Sequence, residues 1–225
     1  MISFEHACGL RDTHIDFHSL EVPVHCELVA PLQNLKKTAA AAGLELAIAS
    51  GYRSFAQQEN IWNAKACGQR PILDDNSQCV PIENLSETEI VFAILRWSAL
   101  PGTSRHHWGS DVDVVDGAVV KKGYQPKLVV EETFADGEFA DLHHWLNGYL
   151  ADDDKYFFRP YAIKTGLGVS PEPWHLSYRP LATNYSKSLK KELLEEQIKN
   201  SGLLLKDAIL NNFNKIFHYF FQQYI

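Results

Sequence analysis

A chain of 225 residues with 45% apolar and 12% aromatic side chains can bury a substantial core, and fits one large domain or a domain with an appendage. Its formal net charge of −7 argues against nucleic-acid binding, which needs a basic excess to neutralise phosphates. No run approaches the ~20 apolar residues of a membrane-spanning helix, and the one basic cluster, Lys187, Lys190 and Lys191, reads as a solvated helix face.

The first segment, MISFEHACGLRD, carries acids and a histidine where an export signal needs an apolar core. A cytoplasmic protein is therefore expected, or a periplasmic one where such a signal has been removed. Cys8, Cys26, Cys67 and Cys79 show no C-x-x-C spacing and read as reduced thiols, with Cys67 and Cys79 placed to pair only under oxidation.

CELVAPLQNLKKTAAAAG predicts a helix with Leu28, Leu32 and Leu35 on one face, ending at Gly43. LELAIAS alternates as a strand and runs into SGYRSFAQQENIWNAKA, where Ser54 and Gln57 form a capping box that opens a second helix. GQRPILDDNSQCVPIEN is a polar loop. Ser86 with Glu89 is another capping box and Leu85 with Ile90 a hydrophobic staple, so ETEIVFAILRWSAL predicts a third helix, stopped by Pro101 and Gly102.

SDVDVVDGAVV predicts a strand, an Asp-Gly turn and a partner strand. FADLHHWLNGYL reads as a helix, and YFFRPYAI and WHLSYRP as short aromatic strands. After Pro180 the composition shifts, and SLKKELLEEQIKN and LLLKDAILNNFNKIFHYFFQQYI predict two terminal helices. The aromatic stripe Phe213, Phe217 and Phe220 is spaced to pack on the domain or on a second subunit, making a homo-oligomer through these helices the alternative. The expected class is α+β, a small antiparallel sheet covered by helices on one side, with residues 1–180 as the main domain and 181–225 as a helical extension packing on it.

Chemistry concentrates in SRHHWGSDVDVVD, residues 104–116. Asp111 and Asp113 are two apart on a strand, so both point to one face. His106 stands just before them, where Gly109 lets the chain turn. A histidine and an aspartate meeting at a strand's start supply two of the three protein ligands of a catalytic zinc, with a third to come from elsewhere. SPEPWHLSY is the best candidate, because it offers His175 with Glu172 three residues ahead. Three protein ligands leave a position for water, whose proton a neighbouring carboxylate can take. His107, His143 and His144, and the loop histidines His14, His18 and His25, lack supporting acids and read as structural or surface groups.

SRHHWGSDVD resembles the S-x-H-x(2)-G-x(3)-D signature of the D-alanyl-D-alanine carboxypeptidase family of zinc peptidases, the VanY group of the LAS clan. EPWH is similar to that family's E-x-x-H segment, and SGYRSFAQQ resembles its S-G-Y-R-S-x(3)-Q signature. The three occur in the family's order across residues 50–178.

The resemblance implies one Zn2+ per chain held by His106, Asp113 and His175, with Glu172 as general base. It implies Arg53 at the scissile carbonyl and its developing oxyanion, and Ser104 and Gln58 near the substrate's terminal carboxylate. Asp111, where the family often has a small residue, stands as a competing ligand or as added charge behind the metal. The implied substrates are peptidoglycan stem peptides or muropeptides ending in a D-amino acid. A D,D-dipeptidase or an L,D-carboxypeptidase is the neighbouring activity; an endolysin-type endopeptidase and a non-catalytic zinc-bearing module are more distant alternatives.

Overall fold

The computed structural model describes residues 2–152, 156–162 and 166–224, so Ile163 and Ile225, which end two predicted segments, lie outside it. A short helix α1 (Phe4–Ala7) precedes a two-stranded antiparallel ribbon of β1 (Ile15–Asp16) and β2 (Val24–His25). Helix α2 (Val29–Ala41) follows and lays Leu32, Leu35 and Ala39 into the core. Strand β3 (Leu46–Ser50) then leads to helix α3 (Phe55–Ala66), opened by the Ser54–Gln57 capping box. Helix α4 (Glu87–Leu95) starts at the second capping box, Ser86 with Glu89, and ends before the predicted Leu100, so Trp97 leaves the helix and stacks on Trp174.

Strand β4 (Asp111–Asp116) sits second in a four-stranded antiparallel sheet ordered β3, β4, β6 (His175–Tyr178), β5 (Phe157–Phe158). The expected partner strand after Asp116 is instead helix α5 (Gly117–Lys121). The Asp116 carboxylate accepts hydrogen bonds from the Ala118 and Val119 backbone N–H groups, so it caps a helix where a hairpin turn would have left those groups to a partner strand.

The sheet is covered on both faces, not on one. All six residues of β4 are buried. Val112, Val114 and Leu176 face an apolar layer with α2 and with Leu142 and Leu146 of α6 (Ala140–Leu150). Asp111, Asp113, His175 and Ser177 have the opposite parity and line the second face, which the 3-10 turn Arg105–Trp108 and the C-terminal segment close off.

An unpredicted helix α7 (Arg179–Ser188) comes first, and among the described residues the predicted terminal pair is three helices, α8 (Lys191–Lys199), α9 (Lys206–Asn211) and α10 (Phe213–Phe220). Pro180 stands in the first turn of α7, where its missing N–H costs nothing. Phe213 and Phe220 are buried with Trp62, Trp108 and Leu194, and Phe217 packs partly buried against them, so this stripe packs on the chain's own core. Among the described residues no helix is long and apolar enough to cross a membrane.

Candidate active site

Register builds the site. β4 and β6 pair Asp113 opposite His175 and Asp111 opposite Ser177, which puts two carboxylates, an imidazole and a hydroxyl on one patch of sheet. A register shift in β3 between Ile48 and Ser50 brings Ser50 opposite Asp113. Such a bulge re-aims the strand end beside the site.

The segment after it is stitched to the 3-10 turn. His106 Nδ1–H donates to the Gly51 carbonyl at 2.9 Å, and the Arg53 N–H donates to the His106 carbonyl at 3.1 Å. Gly51 allows this approach, since a Cβ there would meet the Pro23 carbonyl at 2.3 Å. Gly109, at φ +65°, turns the chain into β4, and a Cβ there would meet the His25 backbone nitrogen at 2.6 Å.

His106, Asp113 and His175 each offer a ligand atom, and these atoms all lie within 4.8 Å of one another. His106 Nε2 faces Asp113 Oδ2 at 3.4 Å, and His175 Nδ1 faces Asp113 Oδ1 at 3.2 Å. Asp113 Oδ1 and His175 Nδ1 are buried without a hydrogen-bond partner. Buried polar atoms left unpaired cost about 1–3 kcal/mol each, and a cation between them removes that penalty. The donor set of two imidazoles and a carboxylate is one that zinc accepts, with room for a further ligand.

Asp111 is occupied otherwise. It accepts from Arg105 Nε at 2.7 Å and from the Ser110 hydroxyl at 2.6 Å, and meets His175 Nε2 at 3.1 Å. Burial opposes its charge, but the Arg105 guanidinium holds the carboxyl well below its ordinary range. Arg105 is itself pinned by the Ser177 hydroxyl at 2.6 Å and the Tyr224 carbonyl at 3.0 Å, so the C-terminal segment supports the site from beneath. Asp111 thus orients His175 from behind and turns Nδ1 toward Asp113, the arrangement of a carboxylate backing a metal-ligating imidazole. Burial disfavours the His175 imidazolium, but its hydrogen bond to Asp111 and the negative charge of Asp113 beside it win and hold it up at about 9.

Glu172 and His175 share a tight turn closed by the His175 N–H donating to the Glu172 carbonyl at 3.1 Å. Glu172 Oε2 stands 3.6 Å from His175 Nδ1, and burial pushes its carboxyl up to about 7. Arg53 reaches the same space. Its two Nη groups donate to Gln58 Oε1 at 2.7 Å and the Ser50 hydroxyl at 3.1 Å, and its charge couples to Asp113 and Glu172.

Gln58 stands behind Arg53. It is fully buried, gives Oε1 to Arg53 and donates Nε2–H to the Ala99 carbonyl at 2.8 Å. It holds Arg53 from behind and is not among the residues that line the cleft over the cluster.

A cleft of about 370 Å³ opens over the cluster, within the range of small-ligand sites. Ser104 lines it, as do Arg53, Glu172 and the stacked Trp97 and Trp174, whose rings lie 6.3 Å apart. Sequence reasoning missed Lys65, Arg70 and Lys127 in its wall. It also missed Arg105, and the task of His107, which spans the Arg53 carbonyl and the Gly102 N–H with its two ring nitrogens. The spacing of Gln58, Ile61 and Lys65 on one helix face was the available signal for Lys65.

A family model described as VanY, D-alanyl-D-alanine carboxypeptidase, matches residues 21–181. An uncharacterised protein of Haemophilus influenzae is 32% identical over 119 residues, covering 52% of this chain and 89% of its own length. A D-alanyl-D-alanine carboxypeptidase of Enterococcus faecalis is 30% identical over 152 residues, 65% of this chain but only 45% of that protein. Among solved structures, a mutant of the vancomycin resistance D,D-pentapeptidase VanY from a VanB-type resistance cassette, in complex with Zn(II), superposes with a TM-score of 0.50 at 23% identity. That match covers 88% of this chain and 92% of the other, and it shows a shared fold.

Proposed function

Because the chain belongs to the D-alanyl-D-alanine carboxypeptidase family, we propose that it is a zinc-dependent carboxypeptidase removing the C-terminal D-amino acid of peptidoglycan-derived peptides. The observation that carries this reading is the pair of unpartnered buried atoms, Asp113 Oδ1 and His175 Nδ1, converging with His106 beside a carboxyl raised by burial, Glu172. His106, Asp113 and His175 are the three ligands on this reading, and Asp111 the group that orients His175. Bound zinc supplies Lewis acidity, polarising a carbonyl and acidifying water.

Glu172 takes the proton of the attacking water as its oxygen bonds to the scissile carbonyl carbon, and returns that proton to the amine as the C–N bond breaks. Arg53, fixed by Gln58 and Ser50, donates to the oxyanion, so little reorganisation is needed at the transition state. Ser104 contacts the substrate in the cleft. The four cysteines stand as free thiols, three of them exposed, which favours a reducing compartment and short soluble stem peptides as substrates.

The test is mass spectrometry of products from free D-Ala-D-Ala and from tri-, tetra- and pentapeptide stems. Release of one D-alanine from the pentapeptide is expected, and Glu172→Gln should keep metal and fold while losing at least ~10²-fold in turnover. Cleavage of free D-Ala-D-Ala alone would make it a dipeptidase, and cleavage of the tetrapeptide alone an L,D-carboxypeptidase. Internal cuts in whole sacculi, or full turnover by Glu172→Gln, would overturn the reading.

A further inference from the structure

The turn that carries Glu172 is held differently at its two ends. At the far end the sheet takes over early: the Val114 N–H donates to the Trp174 carbonyl at 3.0 Å, and His175 then pairs with Asp113. Glu172 precedes the strand. Its N–H donates to the Tyr161 carbonyl at 3.0 Å, and its carbonyl accepts from the His175 N–H at 3.1 Å. Between the two ends stands Pro173, which has no N–H to anchor it. Among the described residues its carbonyl has one donor, Arg159 Nε, at 2.6 Å.

Arg159 follows β5 directly, and its guanidinium reaches α6, where His143 and Asn147 stand one turn apart on one face. One Nη donates to Asn147 Oδ1 and the other to His143 Nδ1 at 3.2 Å. His143, which read from sequence as a structural or surface group, is buried. Burial, with the Arg159 charge beside it, lowers the imidazole to about 3. The ring is therefore neutral and offers the guanidinium a lone pair on Nδ1. Its proton then sits on Nε2, a buried nitrogen without a partner among the described residues. Every acceptor of Arg159 among those residues is neutral, and burial brings the half-buried guanidinium down only to about 10, so it stays charged.

Stability alone is a poor reason for this arrangement, since a half-buried cation without a counter-charge and a stranded N–H both cost free energy. What the cation gains is grip. A charge-assisted hydrogen bond is roughly twice as strong as a neutral one, and a guanidinium directs it in a fixed plane. We propose that Arg159, set in place by His143 and Asn147, is a positioning residue for the general base. By gripping the Pro173 carbonyl it fixes where the Glu172 carboxylate stands relative to His106, Asp113 and His175. Arg159 does not line the cleft and touches no reacting atom; it acts through Glu172, while the sheet holds His175.

The inference rests on the carboxypeptidase reading, in which Glu172 is the base, and is separable from it by experiment. Wild type, Arg159→Met, Glu172→Gln and the double variant are compared, zinc-loaded, on one pentapeptide stem. Arg159→Met should lose on the order of 10–10²-fold in kcat, the scale of a group misplaced by ~1 Å, with KM and zinc content near those of wild type. In the Glu172→Gln background the same substitution should cost less than about 2-fold, because the group it positions is already disabled. Arg159→Lys, which keeps a cationic donor, should restore part of kcat. An equal loss in both backgrounds, a loss of zinc, a loss carried by KM, or full turnover by Arg159→Met would each overturn the proposal.

Amide hydrogen exchange reads the same positioning without turnover. In Arg159→Met the N–H groups of Glu172 and His175 should exchange faster than in wild type, while that of Val114, bonded on the sheet side, should not. Unchanged exchange at Glu172 and His175, or an equal rise at Val114, would overturn the proposal. Thus a wild type that cleaves no stem peptide sinks the carboxypeptidase reading, and exchange still decides whether Arg159 holds the turn. Should Arg159→Met fail to fold, His143→Phe combined with Asn147→Ala leaves Arg159 in place and removes two of its three acceptors among the described residues. A smaller loss in kcat, absent from the Glu172→Gln background, would then support the proposal. Wild-type turnover, or the same loss in both backgrounds, would overturn it.

Discussion

The molecule contains two clusters of histidine rings, and ring proximity does not distinguish them. His106 and His175 lie 4.9 Å apart between centroids, while His14 lies 5.1 Å from His6 and 5.3 Å from His25. What differs is where the nitrogens point and what carries negative charge. In the first cluster each ring has one nitrogen tied behind it, to the Gly51 carbonyl or to Asp111, and turns the other toward Asp113.

In the second cluster the nitrogens are spent or stranded. His6 bonds the Ser3 and Thr13 hydroxyls, and His25 bonds the Tyr185 hydroxyl and the Glu27 N–H. Both nitrogens of His14 are buried without a partner, and among the described residues no carboxylate hydrogen-bonds any of these rings. His18, named with His14 and His25 from sequence, is exposed, and its place beside His14 is taken by His6. A metal site needs convergent lone pairs held by second partners, and a counter-charge to balance the ion.

The largest way to break this contrast is to remove the counter-charge. Asp113→Ala should abolish zinc binding and activity, whereas His25→Gln or His14→Phe should leave close to one zinc per chain by atomic absorption. Zinc retained by Asp113→Ala and lost by His14→Phe would invert the comparison.

A second, smaller effect probes the support behind the first cluster. Asp111→Asn should weaken metal affinity by ~10–100-fold in a chelator competition, because His175 loses the carboxylate that orients it. Breaking the buried pair with Arg105 also costs stability, about 3–5 kcal/mol for a full break. Circular dichroism at low temperature must therefore accompany the titration. Unchanged affinity would return Asp111 to a purely structural role.

The smallest effect sharpens the other side. Burial, helped by the nearby His25 and His6 and opposed by Asp12, lowers His14 to about 4. Unfolded, it takes up a proton near pH 6.5, which the folded chain refuses until about 4, so the folded state loses stability as pH falls across that window. His14→Phe removes this proton uptake. Its Tm should fall less than that of wild type between pH 7 and 5, with the two compared at equal zinc. Parallel Tm curves would show that His14 is not held neutral.

The legible parts of this protein were those set within a few residues of one another. Ser54 with Gln57 and Ser86 with Glu89 opened helices as predicted, because a cap and its N–H lie a single turn apart. The parity of Asp111 and Asp113 on β4 was equally local, and so was the placing of Glu172 one turn ahead of His175. Local chemistry also misled: Asp-Gly read as a hairpin, where the Asp116 carboxylate caps a helix instead.

Beyond what the motif resemblance implied, tertiary structure gave the physical reason for the choice between equals. Asp111 and Asp113 have the same strand, face and chemistry, and only Arg105 and the register with His175, 64 residues away from Asp111, assign one to the back of the imidazole and the other to its front. Gln58 and Lys65 share a helix face seven residues apart. The fold buries the first against Ala99 and opens the second into the cleft. Such outcomes depend on which distant groups close over a site, and spacing along one chain carries no record of that closure.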